Sequence, residues 1–225
     1  MRIPLFIEFS GKKVAIVGGG NVGTVRAKKF IEVGADVTVF SIEFSEELKK
    51  LESDGKVKLV EKKIEEIEDE LSNFDLVVIA IGDKSYNKKF KELAKKHKFL
   101  LNLANDANET EVVVPFEGGK DGIRFAVTTE GKSGVVARMV RDRFQKLLES
   151  DRTIFTYLFA MEHLKMYMKS NNVPINVRMR VYSIAGSNKD LLKLSEEGKV
   201  EEAKKLVEKI ADEELKKGEI DEFRF

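Results

Sequence analysis

The sequence predicts an α/β fold built on a doubly wound parallel sheet, and three observations point to it. From Lys12 to about Leu103, short β-branched runs alternate with amphipathic stretches, the pattern of consecutive βαβ units. Runs such as Leu76-Val77-Val78-Ile79-Ala80 are apolar without interruption, which requires burial on both faces of the sheet. The first strand runs straight into Gly18-Gly19-Gly20-Asn21-Val22-Gly23, a glycine pattern that opens the next helix.

Taken in order, residues 13–17 form the first predicted strand. A helix follows over 21–33, with Val22, Val25, Phe30 and Val33 expected toward the sheet and Gly34 as its stop. The second strand covers 36–40, a helix begins around Ser45, and 57–60 is a short third strand. The fourth strand is 75–80. Residues 87–97 read as a helix with Phe90, Leu93 and Ala94 inward and lysines outward, ahead of a fifth strand over 99–103. After Asp106 the texture changes. Residues 112–116 and 123–128 read as a strand pair around a turn-rich 117–122. A helix runs from Ser133 to about Leu148, and from Asp151 the periodicity is mainly helical, 191–217 being the clearest amphipathic stretch. No internal repeat interrupts the pattern.

Composition narrows the function classes. With 40 basic and 39 acidic residues the net charge is +1, so there is no global field of the kind nucleic-acid or membrane-surface binders carry, and any anion recognition must be local. The absence of cysteine removes disulfides, thiolate metal sites and thiol nucleophiles. His97 and His163 belong to no metal-ligand spacing, so no metal site is expected. Pro4 and Glu8 break the apolar N-terminus too early for a signal peptide, and no stretch approaches the roughly 20 apolar residues of a membrane span. The expected location is the cytoplasm.

The glycine pattern sits where a Rossmann-type dinucleotide site needs it, after a strand and at a helix start. Gly18 permits the tight turn, Gly20 lets backbone approach a pyrophosphate, and Gly23 lets helix and strand pack closely. The helix start, with Asn21 and Val22, offers free N–H groups to the phosphates. The competing reading, a glycine turn in a non-binding α/β domain, lacks a reason for the whole strand–loop–helix context. The acid that usually holds the ribose belongs at the end of the second strand, about 20 residues on, where this chain has Phe40-Ser41. Glu43, two residues beyond, either reaches the ribose hydroxyls or faces solvent. No arginine follows the strand, which argues against a 2′-phosphate.

Leu5-Phe6-Ile7-Glu8 ahead of the glycine loop, Ala80-Ile81-Gly82-Asp83-Lys84-Ser85-Tyr86-Asn87, Asn102-Leu103-Ala104-Asn105-Asp106-Ala107 with Val113-Val114-Pro115, and Thr128-Thr129-Glu130-Gly131-Lys132-Ser133-Gly134 through Arg138 follow one another in order. Together they resemble the precorrin-2 dehydrogenase and sirohydrochlorin ferrochelatase family, the type found at the N-terminus of siroheme synthases. Ile81 departs from the family's threonine and Gly134 from its proline. The resemblance implies NAD-dependent conversion of precorrin-2 to sirohydrochlorin by a homodimer. It also implies an NAD-binding Rossmann domain over 1–112, a small α+β dimerisation module over 113–145 and a helical C-terminal module over 146–225. Its active site lies in a cleft between these parts, which would place the tetrapyrrole against the nicotinamide near Asp83, Asn102 and Asp106.

Asp106 is the candidate general base, because a carboxylate beside the nicotinamide can accept a proton; its alternative is a turn former. In some family members the acid falls at the position of Asn105. Lys132, Ser133 and Arg138, around a helix start, are candidates for holding substrate carboxylates, Ser133 alternatively serving as an N-cap. Two rival functions stay open. One is a bifunctional enzyme that also inserts Fe2+ into sirohydrochlorin through a carboxylate such as Asp106. The other is a non-catalytic NAD-sensing module like those that gate potassium transport, although such modules usually end the second strand in an acid. The partners expected are the tetrapyrrole and a second copy of the chain, with neither nucleic acid nor membrane.

Overall fold

Five strands, β1 (Lys13–Gly19), β2 (Asp36–Phe44), β3 (Lys58–Glu61), β4 (Leu76–Ile79) and β5 (Leu100–Leu103), form an all-parallel sheet of order β3-β2-β1-β4-β5. The structure, a computed structural model, describes residues 2–222. By its contacts the chain divides into one unit of Met1–Phe116 with Thr128–Ala137 and another of Glu117–Val127 with Arg138–Phe225. Among the described residues, no helix is long and apolar enough to cross a membrane.

Alternation along β1 sends Val14 and Ile16 to one face and Ala15 and Val17 to the other, and each face has its own core. The first face is covered by Ala27 and Phe30 of α1 (Asn21–Glu32) and Leu48 of α2 (Glu46–Ser53). The second is covered by Phe90, Leu93 and Ala94 of α3 (Asn87–His97). Two covered faces explain why every residue of β4 is apolar and buried. Strand order reverses between β1 and β4, so the ligand crevice of such a sheet opens at their C-terminal ends, beside the glycine loop.

The phase of α1 differs from the one its valines predict. Gly23, Thr24, Ala27 and Phe30 are buried, whereas Val22 and Val25 face outward, 51% and 64% exposed. Gly23 must abut the loop, and at 100° per residue that choice carries positions 27 and 30 inward and swings 22 and 25 away.

β5 is an edge strand, and the chain folds back to protect it. The Leu103 N–H donates to the Thr110 hydroxyl at 2.8 Å, that hydroxyl donates to the Val112 carbonyl at 2.8 Å, and the Leu101 N–H donates to Glu111 at 3.2 Å. Thr110 is buried, so Thr110→Val leaves the Leu103 N–H without its acceptor at almost unchanged volume. We expect a stability loss of about 1–3 kcal/mol in urea unfolding followed by circular dichroism.

The expected strand over 112–116 lies further along, as β6 (Phe116–Lys120), paired with β7 (Ile123–Val127) in a two-stranded sheet. Gly118 and Gly119 belong to the strand, not the turn, because their side-chain space is taken. A Cβ on Gly118 would lie 2.6 Å from the Gln145 Oε1 and would collide with the Phe125 ring. Gln145 also accepts from the Gly119 N–H at 2.8 Å and donates to its carbonyl at 3.1 Å. The turn is Asp121-Gly122, with the two positive φ angles, 48° and 89°, of a tight hairpin.

The rest is helical: α4 (Gly134–Ser150), α5 (Arg152–Ser170), α6 (Ile175–Gly186), α7 (Lys189–Glu196) and α8 (Val200–Glu222). Leu164 and Met168 of α5, Val181 of α6, Leu191 of α7 and Val207 of α8 share one core. The long amphipathic stretch expected over 191–217 is split between α7 and α8 at Gly198, whose φ of +72° ends the first helix.

Candidate functional site

The glycine loop separates its glycines by what surrounds each. Gly18 has φ +115°, and a Cβ there would sit 2.8 Å from the Ala80 carbonyl oxygen. A Cβ on Gly23 would overlap the Gly18 carbonyl oxygen, and one on Gly19 would overlap the Glu43 carbonyl oxygen. Those three positions are glycine because the protein's own backbone stands in the way. At Gly20 an added Cβ would meet nothing within 4 Å. Gly20 caps α1 without a side-chain hydrogen bond, and the first turn holds no acidic residue. The Thr24 N–H, bonded to the Gly20 carbonyl at 2.9 Å, is the first to turn back into the helix. The helix start, with Asn21 and Val22 exposed beside the clear space at Gly20, presents first-turn amides and their partial positive charge, an arrangement that fits a pyrophosphate.

The loop is tied to the end of β2. The Ser45 N–H donates to the Gly19 carbonyl at 2.9 Å, and the Thr24 hydroxyl both donates to the Gly20 carbonyl at 2.9 Å and bonds the Ser45 hydroxyl at 2.8 Å. Ser45 in turn caps α2 by accepting from the Leu48 N–H. Beside the loop lies a pocket of about 270 Å³ whose wall includes Gly18, Ser41, Ile42, Ile81, Lys62 and Lys63. Ser41 thus lies on the pocket, whereas Glu43 is exposed and is not among the lining residues. The two lysines carry no signal in the linear sequence near the glycine loop. Only the pairing of Ser41 with Glu61 across β2 and β3 brings them there.

Past β4, Asp83 accepts from the Ser85 N–H at 2.8 Å, a bond that holds its carboxyl below the ordinary range and caps a short 3-10 turn over 84–86. Asn102 is buried, donates to the Val112 carbonyl at 2.7 Å and leaves its Oδ1 unpartnered. Asn105 donates to the Ile81 carbonyl at 3.0 Å, tying the loop after β5 to the one after β4. Asp106 accepts from Lys84 Nζ at 3.1 Å and, through its other oxygen, from the N–H groups of Asn108 and Glu109 at 3.1 and 3.2 Å. Lys84 is the chief cause, followed by the Glu109 amide, that keeps this carboxyl below its ordinary pKa. Asp106 therefore shapes its turn and stays ionised at neutral pH, paired with the exposed Lys84 ammonium.

A Cβ on Gly131 would overlap that of Ala107, so the turn carrying Lys132 abuts the one carrying Asp106. Arg2 spans both turns, donating to Glu130 at 2.5 Å and to the carbonyls of Ala107 and Thr110 at 2.8 and 2.7 Å. Lys132 is exposed, and the Ser133 hydroxyl caps α4 by accepting from the Val136 N–H at 3.2 Å. Arg138, also exposed, follows five residues later on the same helix.

Residues 5–116 match the family model described as "Putative NAD(P)-binding". Over 214 residues the chain is 32% identical to a Methanocaldococcus jannaschii protein named "Putative precorrin-2 dehydrogenase", covering 92% of this chain and 97% of that one. The chain belongs to the precorrin-2 dehydrogenase family. A precorrin-2 dehydrogenase of Methanosarcina barkeri is 29% identical over 174 residues, 75% of either chain. A siroheme synthase of Psychromonas ingrahamii is 25% identical over 97% of this chain, which spans 45% of that relative. The solved structure of SirC, a precorrin-2 dehydrogenase, shares the fold, with a TM-score of 0.66 at 21% identity over 92% of this chain and all of that one. The cofactor class of this precorrin-2 dehydrogenase family member is a nicotinamide dinucleotide.

Proposed function

We propose that the protein dehydrogenates precorrin-2 to sirohydrochlorin, with NAD as acceptor and a homodimer as the working form. The observation that carries this reading is the open anion cradle at Gly20 in a chain matched almost end to end by the Methanocaldococcus jannaschii protein named "Putative precorrin-2 dehydrogenase". Bound at the loop, the dinucleotide supplies a hydride acceptor. Gly18, Gly20 and Gly23 with the amides of Asn21 and Val22 hold its pyrophosphate. Ser41 serves the adenosine ribose, Glu43 standing off the pocket wall, and Asp83 and Asn102 frame the nicotinamide end. Residues 1–112, 113–145 and 146–225 act as cofactor-binding, dimerising and helical modules.

The protein's own part is to orient the ring and take the proton that leaves with the hydride. Lys132, Ser133 and Arg138 face the substrate's carboxylates. Lys84 does too, and this bears on Asp106. When a substrate carboxylate draws Lys84 away, the main cause of the lowered Asp106 pKa goes with it, and the carboxylate becomes a better base.

The test is anaerobic incubation with precorrin-2 and NAD, following NADH absorbance. The expected result is NADH formed in step with sirohydrochlorin. Asp106→Asn retains an acceptor for the turn amides and should lower kcat by about 100-fold while NAD still binds. NAD binding with no turnover in the wild type would favour a sensor, and a normal rate in the variant would reduce Asp106 to a turn former.

A further inference from the structure

The wall of the dinucleotide pocket is basic where an acid is usual. In a site that selects NAD, a carboxylate closing the second strand bonds the ribose 2′-hydroxyl, and it would repel a 2′-phosphate; sites for the phosphorylated dinucleotide set a cation nearby instead. Here the pairing of β2 with β3 ends at Ser41, a short side chain without charge that lines the pocket, while Glu43, two residues further along β2, is exposed and stands off the pocket wall. Strand register supplies the cations. Ser41 pairs with Glu61, and the next N–H along, that of Lys62, donates to the Ser41 carbonyl at 3.2 Å, so Lys62 and Lys63 follow directly at this spot and both line the pocket.

Nearby carboxylates offset part of this charge and leave part of it. Lys62 is ion-paired with Glu70, which is not among the lining residues. Glu65 is the carboxylate on the wall; it accepts from the Tyr86 hydroxyl at 3.0 Å. Its own backbone N–H first, then Tyr86, and then Lys89 and Lys63 hold its pKa low. Glu70 takes up the Lys62 charge, so Lys63 is the wall ammonium left to meet a ligand, beside one carboxylate that is already hydrogen-bonded. A lysine serves a phosphate as a point charge and needs no bidentate geometry.

We infer that this pocket admits a 2′-phosphate on the adenosine ribose, with the Ser41 hydroxyl and the Lys63 ammonium as its contacts, so that NADP binds at least as tightly as NAD. The inference rests on the reading of the loop as a dinucleotide site and concerns only the ribose substituent.

Isothermal titration calorimetry of the full chain at low ionic strength, with NADP and NAD in separate titrations, tests it. In the wild type NADP should bind as tightly as NAD or more tightly, and added KCl should erode the advantage. Lys63→Ala should move the ratio of the two dissociation constants against NADP by about tenfold, as loss of one charge-assisted contact does. Ser41→Asp should move it the same way by at least as much, its carboxylate facing the phosphate, with an unchanged Tm showing that each variant folds. Wild-type NADP binding weaker than NAD, or a ratio that Lys63→Ala leaves in place, would overturn the inference while the dinucleotide reading stands. Binding of neither dinucleotide would overturn both.

Discussion

Gly20→Asp is expected to leave the protein folded and to cost it its dinucleotide. Gly20 has φ −81° and ψ −164°, extended backbone that any residue adopts, and no atom lies within 4 Å of the place its Cβ would take. The position is also the N-cap of α1, where aspartate is at least as good as glycine, so stability should hold or rise by a few tenths of a kcal/mol. Binding is a different matter. The new carboxylate accepts from the same first-turn amides a pyrophosphate needs and sets a negative charge against it. An affinity loss of about 100-fold or more follows from the displaced amide contacts and the charge repulsion together. Calorimetry with NAD alongside thermal unfolding separates the two quantities. A variant with unchanged Tm and wild-type affinity would remove the loop from the cofactor site.

The contrast among the glycines shows which parts of this molecule a linear reading reaches. Strands and helices of the first unit are legible because two-sided burial forces uninterrupted apolar runs, as in β4, and because Gly34 and the glycine loop punctuate them. The face of α1 is not legible from its valines. Steric demand at Gly23 fixes the helix phase, and that demand exists only once Gly18 has turned. The same holds for β6, where Gly118 and Gly119 resemble a turn until the Phe125 ring and the Gln145 amide take their space. The resemblance points to Asp83, Asn102 and Asp106 but not to their partners. Lys84 reaches Asp106 across 22 positions, and Lys62 reaches Ser41 across 21, the latter through strand register that no spacing rule encodes. Local chemistry is therefore readable where one segment suffices, and hidden where two strand ends must meet.

Gly23→Ala sets two physical effects against each other. Gly23 lies inside α1, and alanine is favoured over glycine in a helix interior by about 1 kcal/mol, so propensity alone predicts stabilisation. Against this, the added methyl would overlap the Gly18 carbonyl oxygen and come within 3.0 Å of its carbon, both of them backbone atoms that no rotamer change can move. Relief requires α1 to withdraw from the loop. That withdrawal would lift Ala27 and Phe30 from the core they share with Ile16 and Val39. Overpacking of a close-packed site costs about 1–3 kcal/mol, and a collision between two backbones belongs at the upper end or beyond. The clash should win. We expect a net loss of about 2 kcal/mol or more in urea unfolding, with weaker dinucleotide binding because the first-turn amides shift with the helix. A more stable variant would mean that the close approach of Gly23 to Gly18 is not what holds α1 against the sheet.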